Sequence, residues 1–548
     1  MPKITPLAPE KLRWVCDPEI FPFETTKDIA PLDAIIGQER ALKAIEFSLG
    51  IANHGYNVYV LGESGTGRTT SVKTLLETKA KDEPVPPDWC YTHNFADPDR
   101  PKTLKLPAGK GVELREDMDT LIGTFIREIP RLFESKEYES HRDEIIDGQQ
   151  ELTKAIFHRL DQMAHQKGFI LKKSASGLSV MPAKDGKVIG QDDFDKLPSD
   201  KRTEMDHASK FLQDRLSDAI REARKIEKDT KDRIEALDRE VVQYAVTPLV
   251  NELFEKYKDF EAVVQYLSEI KEDIFRNIDD FRAKEEVTLP FAGIRFPRSE
   301  PSFERYKVNL IVSNRDTLGA PVVMETNPTY YNLFGRIEHK VQMGVAVTDF
   351  TMIKAGSIHR ANGGYLVLNA LDVLRNLFVY DALKRMIKNR EVKIEDVWEQ
   401  YRLLSTTALK PDPIPVNIKI VLIGEPYIYY LLYNMDDEYS KLFKVKADFD
   451  YQMERTEENI SKYACFVSAR CKEEGLLPFD RTAVAKVVEY GLRLTSDTEK
   501  LSARFNDIEN LVVEASYWAV VVIGLLVMDI HVVNAVREGV YRDSMLAD

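Results

Sequence analysis

A glycine-rich segment that follows a predicted strand carries residue types that bind phosphate. The segment consists of Gly62, Glu63, Ser64, Gly65, Thr66, Gly67, Arg68, Thr69 and Thr70. In the phosphate loop G-x-x-x-x-G-K-[ST], backbone N–H groups wrap a phosphate, the lysine neutralises its oxygens and the hydroxyl holds magnesium. Arg68 stands at the lysine position, and a planar guanidinium is a poor substitute for a point charge. The segment predicts a phosphate loop with weakened binding; a glycine-rich turn without a ligand is the alternative.

Two residues at the end of a second predicted strand lie where related nucleotide hydrolases bind magnesium and activate water. Nucleotide hydrolases with a phosphate loop place an Asp, and often a Glu, after a buried strand to order the magnesium and to polarise the water. The corresponding strand lies within residues 355–371 and is followed by Asn369 and Ala370 at these two positions. Asn369 brings no negative charge to a cation, and Ala370 cannot act as a base. The pattern predicts little hydrolysis, with magnesium only as an accompanying ion.

Buried strands and a long helix are predicted around these positions. Residues 57–62 read NVYVLG, an apolar run ending in glycine that is typical of a buried parallel strand. Similar runs occur at 308–312, 365–368 and 418–423. Between residues 202 and 240, apolar side chains recur at steps of three and four among opposite charges. This spacing predicts a long, coiled-coil-like amphipathic helix.

Changes in pattern along the chain predict four parts. They are an N-terminal part of a P-loop core (1–110), a helical insertion (111–290), a second part of the core (291–450) and a small helical domain (451–548). A small β-hairpin module is predicted inside the insertion at 168–190, where alternating residues flank S-G and D-G turns. The predicted fold class is therefore α/β, with a P-loop core split by a long helical insertion and followed by a small helical domain.

Composition and net charge exclude several classes of protein for this chain. Of the 548 residues, 43% are hydrophobic and 30% are charged, which excludes a disordered or disulfide-scaffold protein. The net charge of −14 argues against a uniformly basic nucleic-acid binder. Four cysteines without metal-ligand spacing, and no HExxH motif, predict no metal site. No signal peptide is apparent, and the apolar run at 519–528 is too short to span a bilayer, so we predict a buried helix or strand there and a cytoplasmic protein.

An ordered set of motifs gives a resemblance to a known family. The set begins with IIGQERALKAIEF and VLGESGTGRTT and continues, after the helical insertion, with PTYYNLFGRIEH, GSIHRANGGYLVL, KIVLIGEPYIYYLL, LFKVKADFD and KLSARFNDIENLVVEASYWA. It resembles the Lon-related ATP-dependent proteases of the AAA+ class and is close to the ATP-independent Lon-like subfamily. The resemblance covers about residues 10–545, and the order of the motifs is more specific than the phosphate loop alone.

The resemblance implies a hexameric AAA+-like ring that binds ATP or ADP and threads unfolded protein to a C-terminal peptidase with a Ser–Lys dyad. The serine box of that peptidase, of the kind G-D-S-A, is absent from these 548 residues, so we expect no catalytic dyad in this chain. Glu425 aligns with sensor 1, where a carboxylate would repel phosphate. Arg504 aligns with sensor 2, from which an arginine could reach phosphate; a solvated arginine on a helix is the alternative. Lys444 and Lys446 lie where a neighbouring subunit's arginine finger would come, and lysine is a weaker substitute.

An aromatic segment between the insertion and the second strand box resembles the pore loop of AAA+ translocases. It contains Tyr330, Tyr331 and Phe334, followed by Gly335. Such loops grip an extended chain by apolar contact with an aromatic ring, and glycine lets the loop move. The alternative is that these aromatic side chains belong to a core.

Three functions remain open. The first is a ring module of a Lon-type protease that binds adenine nucleotide weakly and engages unfolded protein substrates, with degenerate ATPase motifs. The second is an active ATPase or unfoldase that works with a separately encoded Lon peptidase domain. The third is a DNA-associated AAA+ protein, against which the acidic charge argues because duplex binding depends on neutralising phosphates. The resemblance implies a homo-oligomeric ring, and we expect no membrane partner.

Overall fold

The computed structural model describes residues 13–30, 35–174, 177–184, 187–189, 198–282, 303–342, 345–395 and 409–544. The chain forms two compact units. The first unit joins Met1–Val112 to Asn309–Asp548, and the second unit is Glu113–Val308. The glycine-rich segment and the second strand box therefore belong to the same unit, although the second unit separates them in the sequence.

The strands of the described residues are numbered in chain order. They are β1 (Val58–Leu61), β2 (Asp88–Thr92), β3 (Lys102–Leu106), β4 (Phe169–Ser174), β5 (Gly177–Lys184), β6 (Lys187–Val188), β7 (Val308–Val312), β8 (Val322–Glu325), β9 (Arg336–Ile337), β10 (Lys340–Gln342), β11 (Val345–Val347), β12 (Ile353–Lys354), β13 (Tyr365–Asn369), β14 (Glu391–Val392), β15 (Ile414–Pro415), β16 (Lys419–Gly424), β17 (Val445–Asp448), β18 (Gln452–Glu454) and β19 (Lys500–Ser502).

The α-helices of the described residues are numbered in the same way. They are α1 (Glu39–Gly50), α2 (Arg68–Ala80), α3 (Lys110–Phe133), α4 (Lys136–Gln166), α5 (Ser199–Lys256), α6 (Glu261–Arg276), α7 (Tyr330–Phe334), α8 (Ser357–Arg360), α9 (Ala370–Arg375), α10 (Val379–Asn389), α11 (Pro426–Met435), α12 (Tyr439–Leu442), α13 (Glu457–Glu473), α14 (Arg481–Thr495), α15 (Phe505–Val521) and α16 (Asp529–Asp543).

A five-stranded sheet forms the centre of the first unit, with the order β17-β1-β16-β13-β8. All its neighbouring strands are parallel, and Leu61 pairs with Gly424 while Asn369 pairs with Ile423. The side chains of β1 alternate between two cores: Val58 and Val60 pack with α1 and α2, whereas Tyr59 and Leu61 pack with α10 and α11. Helices cover both faces, which explains why these strands are apolar throughout. The predicted α/β core is confirmed.

Helices α13–α16 form the helical part that follows the core in the sequence. Residues near the N-terminus pack into it: Cys16 and Phe21 share a buried cluster with Tyr463, and the Thr26 N–H donates to the Phe479 carbonyl at 2.8 Å. The sequence pattern assigned this N-terminal stretch to the P-loop core. The structure differs because the apolar side chains near the N-terminus fill the space between helices of the later domain.

The apolar run at 519–528 was expected to be buried, and that expectation is wrong for most of it. Ala519 is buried, but the chain then leaves α15 and turns, so that Ile523 is 91% exposed and Leu525 is 87% exposed. Ile523 also has a positive φ of 61°. In the part of the chain that the structure describes, no helix has the length and apolarity needed to cross a membrane.

The second unit is built mainly from long helices. Helix α5 covers the whole interval 202–240, so the predicted long helix is confirmed. The hydroxyl of Tyr138 on α4 donates to Asp238 on α5 at 2.6 Å, and the two helices also bury Leu160 against Leu216. Strands β4, β5 and β6 form a small antiparallel sheet at the predicted hairpin.

Candidate functional site

The glycine-rich segment leads from the buried end of β1 into the first turn of α2. Gly67 precedes the helix with a φ of 75°, in the left-handed region that favours glycine. A side chain at Gly62 would place its Cβ 2.8 Å from the Cβ of Phe449, so only glycine fits there. The Thr66 hydroxyl closes the turn by donating to the Glu63 carbonyl at 2.8 Å. The result is a tight loop at a helix N-terminus, where N–H groups and the helix dipole favour an anion.

Arg68 is the only cation of this loop, and a protein acceptor already holds it. Its guanidinium donates to the carbonyl oxygen of Gly424 at the end of β16. Burial lowers the pKa of Arg68, while Tyr59 and Glu425 act in the opposite direction, and the guanidinium remains charged. A phosphate in the loop would compete with the Gly424 carbonyl for this cation.

Arg504, the predicted sensor-2 residue, lies beside the loop. Its Nη1 is 3.6 Å from Oε2 of Glu63, and its Nε is 3.2 Å from Oδ2 of Asp507. The backbone N–H of Asn506 donates to the Gly65 carbonyl at 3.3 Å. The start of α15 therefore contacts the glycine-rich loop directly, and the guanidinium of Arg504 is within a few ångströms of it.

Asn369 and Ala370 occupy the strand end predicted from the second box. The side-chain oxygen of Asn369 accepts from the N–H groups of Leu371 and Asp372, at 2.9 and 3.1 Å, and thereby caps α9. Ala370 is only 1% exposed, so this position points into the core. An Asn-to-helix cap is a common structural use of this residue type. Neither position offers a carboxylate to a metal or a base to a water molecule.

Glu425, the predicted sensor-1 residue, directly follows β16. Its side chain is exposed and makes no capping bond to α11, while its carbonyl accepts from the Tyr59 hydroxyl at 3.2 Å. Burial raises the pKa of Tyr59, so the hydroxyl keeps its proton. Because Glu425 is negative and attracts Arg68, it favours the position that this cation already has.

The pore-loop candidates differ in burial. Phe334 is 3% exposed and stacks on Tyr330 with the ring centres 4.9 Å apart, and Tyr330 packs against the same core. Tyr331 is half-buried, and Gly335 has a φ of 85°. The burial of Phe334 favours the core alternative for that side chain. A pore-loop role for Tyr331 and Gly335 stays a prediction.

Among the residues that the structure describes, no group of three or more His, Cys, Asp or Glu side chains could hold a metal ion.

The two lysines at the predicted position of an arginine finger have partners within the chain. Lys446 pairs with Asp448 at 3.1 Å, and Lys444 lies over the Tyr56 ring at 4.7 Å. Both lysines lie on or next to β17 at the edge of the parallel sheet.

A polar cluster near β8 was not anticipated from the sequence. The Ser357 hydroxyl donates to Glu325, and Arg360 donates to Ser357 at 2.9 Å while lying 3.6 Å from Glu325. The residues lie in two separate sequence segments, and no motif connected them. The cluster fixes α8 against the carboxyl end of β8.

His359 in the same segment should make stability sensitive to acid. Burial lowers its pKa to about 4 from 6.5, with a contribution from Arg360, and its Nδ1 accepts from the Gly356 N–H at 3.2 Å. Between those values the unfolded chain binds a proton that the folded chain does not, so stability is lost as pH falls. From pH 7 to pH 5 we expect a loss of about 2 kcal/mol that His359→Asn removes, since asparagine keeps an acceptor but does not titrate.

Urea unfolding at pH 7 and pH 5 measures this effect. His207→Asn, at an exposed position on α5, is the control and should lose as much stability as the wild type. Equal losses for wild type and His359→Asn would show that His359 is not the buried neutral group responsible.

Comparison with known proteins gives three family matches. Residues 318–450 match the LonB-like AAA domain, residues 478–542 match the archaeal LonB AAA+ ATPase LID domain, and residues 88–121 match the Lon-like LonC helical domain. The first match contains the strand ends Asn369 and Glu425, and the second contains Arg504.

Curated relatives and solved structures match parts of the chain. An archaeal Lon protease of Archaeoglobus fulgidus is 23% identical over 215 residues, which are 39% of this chain and 34% of the relative. An archaeal Lon protease of Thermoplasma volcanium is 34% identical over 105 residues, 18% of this chain and 15% of the relative. The crystal structure of NtrX from Brucella abortus in complex with ADP is 16% identical, with a TM-score of 0.23, and the match covers 35% of this chain and 39% of that one.

The matched part of the chain thus spans about a third or less of the length of these curated relatives. The AAA and LID matches follow one another in the order that the fold gives to the parallel sheet and the later helices. The chain is therefore a Lon-related AAA+ protein.

Proposed function

We propose that the chain is the ring module of a Lon-type protease, which binds adenine nucleotide weakly, hydrolyses it little and engages unfolded protein for proteolysis. The observation that carries this proposal is the bond from Arg68 to the Gly424 carbonyl. The loop has the backbone of a phosphate site, but its cation must leave a protein acceptor before it can contact a phosphate. That exchange subtracts from the binding energy, so affinity is low.

Weak hydrolysis follows from the two strand ends. Asn369 uses its side-chain oxygen to cap α9, and Ala370 is buried, so neither orders magnesium nor activates water. Losing a positioned base costs about 10²–10⁴ in rate. Glu425 acts electrostatically on Arg68, so its carboxylate would also repel a phosphate that this guanidinium binds.

Engagement of unfolded protein is proposed from the family matches and from the half-buried Tyr331. An aromatic ring offers apolar contact without demanding a sequence, which suits a general substrate. A hexamer, which the resemblance to archaeal Lon suggests, would place one Tyr331 side chain per subunit around a central pore.

Nucleotide binding and turnover in one preparation test the proposal. Calorimetry with ADP should give a dissociation constant of roughly 0.1–1 mM, corresponding to about 4–5.5 kcal/mol. Phosphate release from saturating ATP and magnesium should stay at least about a hundredfold below the ~1 s⁻¹ at the lower end of ordinary enzymes. Turnover above that rate would instead support an active ATPase. If neither ADP nor ATP gives a calorimetric binding signal, the proposed nucleotide binding is wrong.

A further inference from the structure

A cavity lies at the end of the parallel sheet opposite to the glycine-rich loop. It has a volume of about 300 Å³ and is lined by the residues that precede or begin β1, β13 and β16, together with the end of α10. These three strands are neighbours in the sheet, so their amino ends converge on the cavity. The lining is polar, and it includes Lys419, Arg390, His54 and Glu83.

Lys419 is held in place inside this cavity. Its ammonium donates to the carbonyl oxygens of Ile51 and Tyr56, at 2.8 and 3.0 Å. Burial lowers the pKa of Lys419, and Glu83, which also lines the cavity, opposes that shift. Glu83 itself accepts a hydrogen bond from the Tyr365 hydroxyl at 2.6 Å. The lysine thus has a fixed position and keeps one N–H for a ligand.

Arg390 has an unusual backbone for its residue type. It follows α10 with a φ of 57° and a ψ of 34°, the left-handed conformation that glycine usually adopts at a helix end. Two hydrogen bonds of 2.8 Å hold it there, from its N–H to the Met386 carbonyl and from the Val416 N–H to its own carbonyl. A side chain in this conformation costs about 1–2 kcal/mol, which suggests a use for the arginine beyond ending the helix.

The cations outnumber the carboxylates around this space. Among the described residues no carboxylate lies within 4 Å of the charged nitrogens of Arg390 or Lys419. Burial lowers the pKa of His54, and Arg390, Lys444 and Lys419 lower it further, so these three cations act on one region. In a protein with a net charge of −14, such a region attracts anions locally.

We propose that this cavity binds a phosphate group, either as free phosphate or as the phosphate of a small monoester, with Arg390 and Lys419 as its cationic ligands. A guanidinium fork and an ammonium are the side chains best suited to phosphate oxygens. The cavity is distinct from the glycine-rich loop, because it lies at the amino end of β1 and that loop follows the carboxyl end of the same strand.

Calorimetry of the full chain with inorganic phosphate, and separately with AMP, tests the proposal. Arg390→Gly removes the guanidinium while glycine suits the backbone, so we expect affinity to fall at least tenfold with an unchanged or higher melting temperature. Ser496→Gly is the control, because Ser496 also has a positive φ, of 55°, after a helix (α14). We expect this variant to keep the phosphate affinity of the wild type.

The two titrations identify the source of the phosphate. Binding of inorganic phosphate alone supports free phosphate, whereas binding of both compounds supports a monoester. The proposal is overturned if the wild type binds neither compound, or if Arg390→Gly binds them as the wild type does. It is also overturned if Arg68→Ala loses the phosphate heat and Arg390→Gly keeps it, because the anion would then occupy the glycine-rich loop.

Discussion

The purified 548-residue chain is expected to cleave no unfolded casein, with or without ATP and magnesium. Hydrolysis by a Lon-type peptidase needs a serine hydroxyl activated by a neighbouring lysine. The serine box of that domain is absent from the sequence. The buried hydroxyls of Ser357 and Ser468 are used structurally, since they donate to Glu325 and to the Thr26 carbonyl.

Gel analysis of labelled casein over several hours measures cleavage, and fluorescence anisotropy of the same substrate measures binding. We expect binding without fragments, because an apolar grip on an unfolded chain needs no catalytic group. Fragments that persist with a serine-directed inhibitor would indicate another protease in the sample. Fragments that the inhibitor abolishes would show that this chain carries a nucleophile that its sequence pattern does not reveal.

Replacing Arg68 by alanine is expected to lower ADP affinity about tenfold. The loop supplies one cation to a phosphate, and a hydrogen bond to a charged group contributes about 1.5–3 kcal/mol, of which part is offset by releasing the Gly424 carbonyl. The fold should persist, since Arg68 is half-buried and alanine favours the first turn of α2.

Lys73→Ala is the matched control for this substitution. Lys73 lies on the same helix, is 56% exposed and pairs only loosely with Glu77 at 3.9 Å. Its removal changes the net charge equally but takes no cation from the loop. ADP affinity that is unchanged in Arg68→Ala, or that falls equally in both variants, would remove Arg68 from the site.

The sequence predicted the parts of the site that local pattern determines. An apolar run followed by glycines located the loop at 62–70, and the strand motif located Asn369 and Ala370. The long helix α5 followed from its apolar spacing. These features depend on backbone conformation and burial over a few residues, which composition and periodicity record directly.

What the sequence could not predict depends on contacts between distant segments. The acceptor of Arg68 lies 356 residues away, and Glu63 meets Arg504 only because α15 folds back against the loop. The exposure of Ile523 and the burial of Phe334 also depend on packing, since an apolar side chain has the same pattern in a core and on an unpartnered surface.

A crystal structure of the chain with bound ADP tests the central claim most directly. We predict that the diphosphate lies against the backbone N–H groups of residues 62–70, and that the Arg68 guanidinium has moved from the Gly424 carbonyl to a phosphate oxygen. A diphosphate bound elsewhere, or one bound in the loop while Arg68 still donates to Gly424, would contradict the account.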